Sequence, residues 1–265
     1  MRESSFSSDA CLMDVMTYLS APEIDAGIFL IDKPVGVTSF GVVSRLRRIL
    51  RMKKVGHAGT LDPFATGLLI VCAGRPATKL ISRFMDGEKE YLATLRLGVE
   101  TETQDTEGAV IGGKPVGELT PLQVEECLQN FRGTLMQVPP AYSALKHQGK
   151  PLYFYARKGI TITKEPRQIE IKTLARTDGC QTLSGEQADL GIRVICTKGT
   201  YIRTLAADIG KSLGCGAHLV QLRRMRSGPF TLENSLSWDD LTGDEALSNC
   251  LGKMMTVDQV CNLLQ

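Results

Sequence analysis

The 265-residue chain has no long apolar run: its longest, Leu68 to Ala73, stops after six residues. A membrane helix needs about twenty, so a spanning segment is not expected. The N-terminus has no basic flank followed by an apolar core, so no secretory signal is read there. Cysteine pairs are missing as well. The eight cysteines, at 11, 72, 127, 180, 196, 215, 250 and 261, never approach within ten residues of one another in sequence. That spacing excludes a Cys-x-x-Cys clamp for zinc or thiol exchange. Three histidines without clustered cysteines give no metal-site pattern. Reduced, mostly buried thiols in a cytoplasmic protein are the expectation. Internal repeats are absent, and no Gly/Ser or Pro linker interrupts 27–238, so that region reads as one domain with insertions.

The chain does contain an uneven charge distribution. Residues 1–26 carry one basic and five acidic side chains, and residues 239–265 carry Lys253 against five acids. The overall charge of +2 therefore hides a middle with 29 basic and 19 acidic residues. A basic core between acidic ends points to a polyanionic partner. Residues 1–24, Ser-rich and weakly patterned, read as a disordered extension or as sequence upstream of a later start at Met13 or Met16.

Local patterns give an α+β chain with a mixed sheet. Gly27–Asp32 and Leu68–Ala73 read as buried strands, and 90–97, 169–174 and 190–197 alternate as half-buried ones. Ser39 is placed to cap a helix with Phe40, Val43, Leu46 and Leu50 inward. Its other face carries Arg45, Arg47, Arg48 and Arg51, followed by Lys53 and Lys54. Thr120-Pro121-Leu122-Gln123 is a capping box with proline at the first helical position. A further helix has Ile202, Leu205, Ala206, Ile209 and Leu213 inward and Gly214 as its stop.

The densest unusual stretch is GHAGTLDPFATGLL, residues 56–69. Glycines 56, 59 and 67 allow positive φ or a close backbone approach, and Pro63 holds Asp62 out of the α region. A carboxylate is thus presented from a tight loop, with His57 five residues before it. A glycosidase needs two positioned carboxyl groups, and this loop supplies one. Base deaminases need His-x-Glu and Pro-Cys-x-x-Cys ligands, which the chain lacks.

This loop resembles the signature of the pseudouridine synthases, in the branch that modifies the T loop of transfer RNA. Five further segments resemble that branch in the same order: IFLIDKPVGVTS (28–39), KEY (89–91), YSALK (142–146), KGTYIRT (198–204) and GCGAHLVQLRR (214–224). The resemblance spans about 27 to 230. It implies the pseudouridine synthase fold, a mixed and mostly antiparallel central sheet flanked by helices, with RNA-binding insertions. The implied reaction isomerises uridine at position 55 of tRNA. It detaches uracil at N1 and rejoins it through C5, without cofactor, metal or redox change.

By the same resemblance Asp62 is the catalytic aspartate, Arg203 the partner that orients it, and Tyr91 the ring that stacks on the target base. Leu222 becomes an apolar wall of the base pocket, Tyr201 a substrate contact, and His57 the residue that helps displace the target nucleotide. Lys33 and Pro34 shape the floor. Whether Asp62 attacks the ribose, attacks the ring or removes the 2′ proton is open at this stage. Its reference pKa of about 3.9 makes it ionised at neutral pH.

A folded T loop hides its uridine, so the base must be turned out at a cost of a few kcal/mol. Segment 139–167 carries six cations, Lys146, Lys150 and Arg157 among them, against Glu165, interleaved with Tyr142, Tyr153, Phe154 and Tyr155. Cations for phosphates and rings for unstacked bases suit a single-stranded RNA loop. The catalytic domain is expected to run over 25–238. The acidic segment 239–265 is too short for the basic RNA-binding domain common in this branch, so contacts toward the acceptor end are not expected. A guide-RNA-dependent synthase and a tRNA-binding folding factor are the alternatives. A monomer is expected.

Overall fold

A computed structural model describes residues 24–264. The expected N-terminal extension lies outside the described residues, apart from its last one.

Nine strands form the central sheet: β1 (Gly27–Lys33), β2 (Val55–Ala58), β3 (Thr66–Ala73), β4 (Lys89–Leu97), β5 (Gly133–Gln137), β6 (Arg167–Arg176), β7 (Ala188–Cys196), β8 (Ala217–Ser227) and β9 (Phe230–Thr231). The main path runs β1-β3-β8-β4-β7-β6-β5, with β9 paired to β8 and β2 to β3. Every pairing in this sheet is antiparallel except one short parallel contact, Thr66 and Gly67 of β3 beside Arg223 and Arg224 of β8. β3 therefore has a forked edge. Its first residues face β8, while residues 70–73 face β2.

Burial follows the sequence pattern. β1 and β3 are continuous apolar runs because both of their faces are covered. One face joins Phe29, Ile31, Leu69 and Val71 to the main core, and the other packs Ile28, Leu30, Leu68 and Ile70 against Phe84, Phe230 and Val260. β4 and β7 alternate instead. Tyr91, Ala93, Leu95, Leu190, Ile192 and Val194 point into the core. There they meet Val124 and Leu128 of α2 (Pro121–Gln129) and Leu205 and Ile209 of α3 (Ile202–Ser212). The opposite face is wet and carries ion pairs, Arg193 to Glu90 at 2.7 Å and Arg96 to Asp189 at 2.9 Å. Its charge is neutralised within the sheet.

Helix α1 (Ser39–Ile49) forms where expected, with two corrections. Thr38 is the cap, its hydroxyl accepting from Gly41 N at 2.9 Å, and Ser39 lies one residue inside, buried. Phe40 was expected inward and is 62% exposed. The buried arc is Ser39, Val42, Val43, Leu46 and Leu50, and position 40 sits roughly 100° from its centre at 3.6 residues per turn.

The acidic segment after Trp238 forms two helices, α4 (Ala246–Lys253) and α5 (Val257–Leu263), the second with a capping box at Thr256. Met255 exchanges two backbone hydrogen bonds with Ile28 at 2.9 Å, and Leu236 bonds Leu30 and Asp32 at 2.8 Å. Leu236 and Met255 thus cover the edge of β1, which would otherwise expose unpaired backbone. Among the described residues no helix is long and apolar enough to cross a membrane.

The fork depends on Gly67, with φ +97° and an added Cβ falling 2.3 Å from the Arg224 carbonyl oxygen. Gly67→Ala is expected to lower stability by at least about 2 kcal/mol. Gly133→Ala, also at positive φ but with open space around it, is expected to cost only about 1 kcal/mol. Denaturant unfolding of both variants checks the contrast.

Candidate active site

Residues 59–65 bridge the fork, leaving β2 at Ala58 and entering β3 at Thr66. A loop there is held only if its backbone polar groups find partners, and buried side chains supply them. Ser39 Oγ both accepts from Leu61 N and donates to Leu61 O, each at 2.9 Å. Arg224, 2% exposed, donates from Nε to Leu68 O at 2.7 Å and from Nη2 to Gly59 O at 3.0 Å. Lys33 is fully buried and donates to the carbonyls of Pro34, Val37 and Pro63 at 2.9, 2.7 and 3.2 Å. Gly36 N also donates to Pro63 O at 2.8 Å. Of the three loop glycines, 59 and 67 take positive φ. Gly56 does not, and its constraint is the Ile81 side chain 3.1 Å from an added Cβ.

Asp62 stands on this loop with Oδ2 2.9 Å from Arg203 Nε. Arg203, in the first turn of α3, is 6% exposed, whereas the Asp62 side chain keeps 35% of its surface open. Both terminal nitrogens of the guanidinium are engaged as well. Nη1 reaches Asp105 Oδ2 at 3.2 Å and Thr103 O at 2.9 Å, and Nη2 donates to Tyr142 O at 2.7 Å. One arginine thereby ties the 59–65 loop to residues 103–105 and to the base of the 139–167 insertion. Asp105 is itself 2% exposed and accepts from the Thr103 hydroxyl and from Glu107 N. Among the described residues Oδ1 of Asp62 takes no protein hydrogen bond, so it stays free for chemistry.

Burial shifts the titrations around this pair. It raises Asp62 above the ordinary carboxylate value, Arg203 opposes that, and nearby Asp105 adds to it. Burial lowers Lys33 to about 8, with Asp62 pulling the other way. It also lowers His57, helped by Arg224, so the imidazole is neutral at neutral pH. The Tyr91 phenol is pushed up by burial.

Two cavities meet at Asp62, Arg203 and Ser143. The smaller, about 340 Å³, is walled by Tyr91, Leu222, Tyr201, Lys89 and Phe84. The larger, about 610 Å³, is lined by His57, Phe40, Tyr142, Tyr153, Arg157 and Glu107. Asp62, Arg203, Tyr91, Tyr201 and Leu222 are thus brought together around the smaller space, as the sequence motifs imply. His57 and Arg157 face the larger one. Lys33 lies beneath the loop, while Lys146 and Lys150 are exposed on the insertion's short hairpin and line neither cavity.

Sequence reasoning missed Ser39, Asp105 and Arg224. Strand alternation was the available signal for Arg224. Arg223 turns outward to Asp32 at 2.6 Å, so its neighbour must turn in. Asp105 is one of several acids in a turn-rich stretch, and nothing local marks it.

A nine-stranded mixed sheet with one carboxylate held by a buried arginine beside a tyrosine-walled pocket defines a pseudouridine synthase. The family model "TruB family pseudouridylate synthase (N terminal domain)" matches residues 47–202, and "tRNA pseudouridylate synthase B C-terminal domain" matches residues 203–257. The protein named tRNA pseudouridine synthase B from Desulfotalea psychrophila is 64% identical over 92% of this chain and 98% of its own length. Its namesake from Chromobacterium violaceum is 51% identical over 81% of this chain and 68% of its length. Among solved structures, "Crystal Structure of a Cbf5-Nop10-Gar1 Complex" superposes with TM-score 0.64 at 27% identity, over 89% of this chain and 62% of that one. "Structure of H/ACA RNP bound to a substrate RNA containing 2'-deoxyuridine" superposes with TM-score 0.60 at 25% identity, over 91% and 62%. This chain spans about three fifths of those two structures' chains. It belongs to the TruB family of pseudouridylate synthases.

If the Arg203 fork positions Asp62, Arg203→Lys keeps a cation but cannot fill four acceptors. Its rate constant is expected to fall on the order of 100-fold, with RNA affinity within about threefold of wild type. Because Asp62 is raised, turnover of the unsubstituted protein is expected to fall on the acid side with a midpoint above the ordinary carboxylate value. Single-turnover rates across pH check both.

Proposed function

We propose that this protein isomerises uridine to pseudouridine in the T loop of tRNA, at position 55, with Asp62 as the catalytic carboxylate. The observation that carries the reading is the Asp62–Arg203 pair at 2.9 Å, opening on a cavity walled by Tyr91 and Leu222. A uracil in that cavity has an aromatic face, an aliphatic wall and one carboxylate. The N1–C1′ bond breaks, the ring turns, and C5 bonds to C1′. The C5 proton is released and N1 takes one up, so the product is an isomer and no electron carrier is consumed. Asp62 Oδ1 is the atom available to attack or to accept a proton, while Oδ2 remains on Arg203.

Recognition is assigned to the basic surface and to the insertion. In the basic stripe that starts on α1, Arg45 and Arg47 are engaged by the carbonyls of Leu241 and Val55 at 2.5 and 2.8 Å. Arg48, Arg51, Lys53 and Lys54 are exposed and free for phosphates. Lys150 and Lys158 lie over the Phe154 ring at 4.6 and 4.4 Å, on the same exposed module as Lys146. The neutral His57 at the larger cavity suits a wedge that replaces the extruded base in its stack. Identity of 64% to a protein named tRNA pseudouridine synthase B, against 27% to the Cbf5 complex, favours a tRNA substrate over a guide-directed one.

The test is incubation of the protein with a T-arm stem-loop, followed by nucleoside analysis. One pseudouridine per RNA is expected, and none with Asp62→Asn, whose affinity should stay within about threefold because the amide keeps the shape. Turnover by that variant above about a hundredth of the wild-type rate contradicts the assignment. Log affinity should also fall linearly with log salt, and Lys150→Ala or Arg157→Ala should each flatten the slope by about 0.9. A salt-independent affinity contradicts the phosphate contacts.

A further inference from the structure

The smaller cavity accommodates the reacting uracil, which leaves the larger one without an occupant. Two of its walls are exposed aromatic rings, Phe40 at 62% and Tyr153 at 42%. Each is backed by a guanidinium, Arg47 at 5.5 Å from the Phe40 ring and Arg157 at 5.5 Å from the Tyr153 ring. Arg47 is not free to leave, since its Nη2 donates to Val55 O at 2.8 Å. Phe40 is therefore held on its helix by a fixed cation, with its ring left unburied by the protein. An exposed phenyl ring at a cavity mouth, stiffened from behind, is suited to cover a flat partner.

We propose that Phe40 is a stacking platform for a second unpaired nucleobase, adjacent to the target uridine, which enters the larger cavity when the target enters the smaller. The inference rests on the reading that this cleft takes an RNA loop. Asp62 and Arg203 line both spaces, so neighbouring nucleotides of one strand reach both without a break. Tyr153 supplies a second ring from the insertion, which the sequence pattern already marks for RNA. Phe40 comes from the catalytic domain itself. Stacking on Phe40 anchors the strand beside the reacting base and makes the ring a positioning residue for the reaction.

The full-length chain is titrated with fluorescent T-arm stem-loops, one intact and others with an abasic nucleotide at each unpaired position flanking the target in turn. Phe40→Ala is expected to weaken binding of the intact RNA about tenfold, with Phe40→Trp close to wild type and thermal unfolding unchanged for both. With one abasic RNA the two proteins should bind alike, since the stacking base is gone. An equal loss on every RNA assigns the ring to folding or to another partner and overturns the proposal, as does no loss on any RNA. Pseudouridine formation by the unsubstituted protein on the same stem-loop reports separately on the functional reading, because the abasic comparison is read from binding alone.

Discussion

Arg203 carries the site. Its guanidinium is buried, and its bonds fall on four different places: the Asp62 carboxylate, a second aspartate, and two backbone carbonyls from separate loops. Planar, fixed donors permit this, where a flexible ammonium would not. The pair with Asp105 is buried on both sides, so removing either partner leaves an uncompensated charge at a typical cost of about 3–5 kcal/mol. The pair with Asp62 is different. One side is buried and the other opens on the cleft, so its contribution to stability is smaller and its main consequence is chemical. It opposes the burial that raises Asp62 above the ordinary carboxylate value.

Beneath this pair, the loop holds its shape because the sheet forks. A parallel contact only two residues long brings Arg224 under residues 59–68, and Ser39 and Lys33 close the remaining gaps from the other side. Lys33 shows what that arrangement costs. Its folded value of about 8 lies below the 10.5 of a free lysine, so the unfolded chain binds more protons between those values. Stability from this group therefore rises with pH through that window and is reduced below it. Three carbonyls need three donors, and only the charged amine has them.

The sequence is most legible where function constrains several adjacent residues. The 56–69 loop and the KEY, YSALK, KGTYIRT and GCGAHLVQLRR segments contain most of the groups that meet at the smaller cavity. Spacing also located the helices at 121 and 202 and the alternating strands. Reading failed where one residue decides between two neighbours. Thr38 caps in place of Ser39 because the hydroxyl of 39 is taken by Leu61, a contact 22 residues away. Phe40 is outside because Val42 completes the buried arc, and period counting does not separate 40 from 43. Asp105 acts through a tertiary contact with Arg203 about a hundred residues away, which no local pattern encodes, whereas strand alternation turns Arg224 inward without showing which carbonyls it meets.

The account stands on the carboxylate remaining paired to Arg203 while a turned-out uracil occupies the smaller cavity. A crystal structure of the protein with a T-arm stem-loop bound tests this most directly. The account predicts the target ring against Tyr91 and Leu222, within contact distance of Asp62, with the Asp62–Arg203 pair still near 2.9 Å. A target base lodged elsewhere, or Arg203 withdrawn from Asp62 to an RNA phosphate, would contradict it.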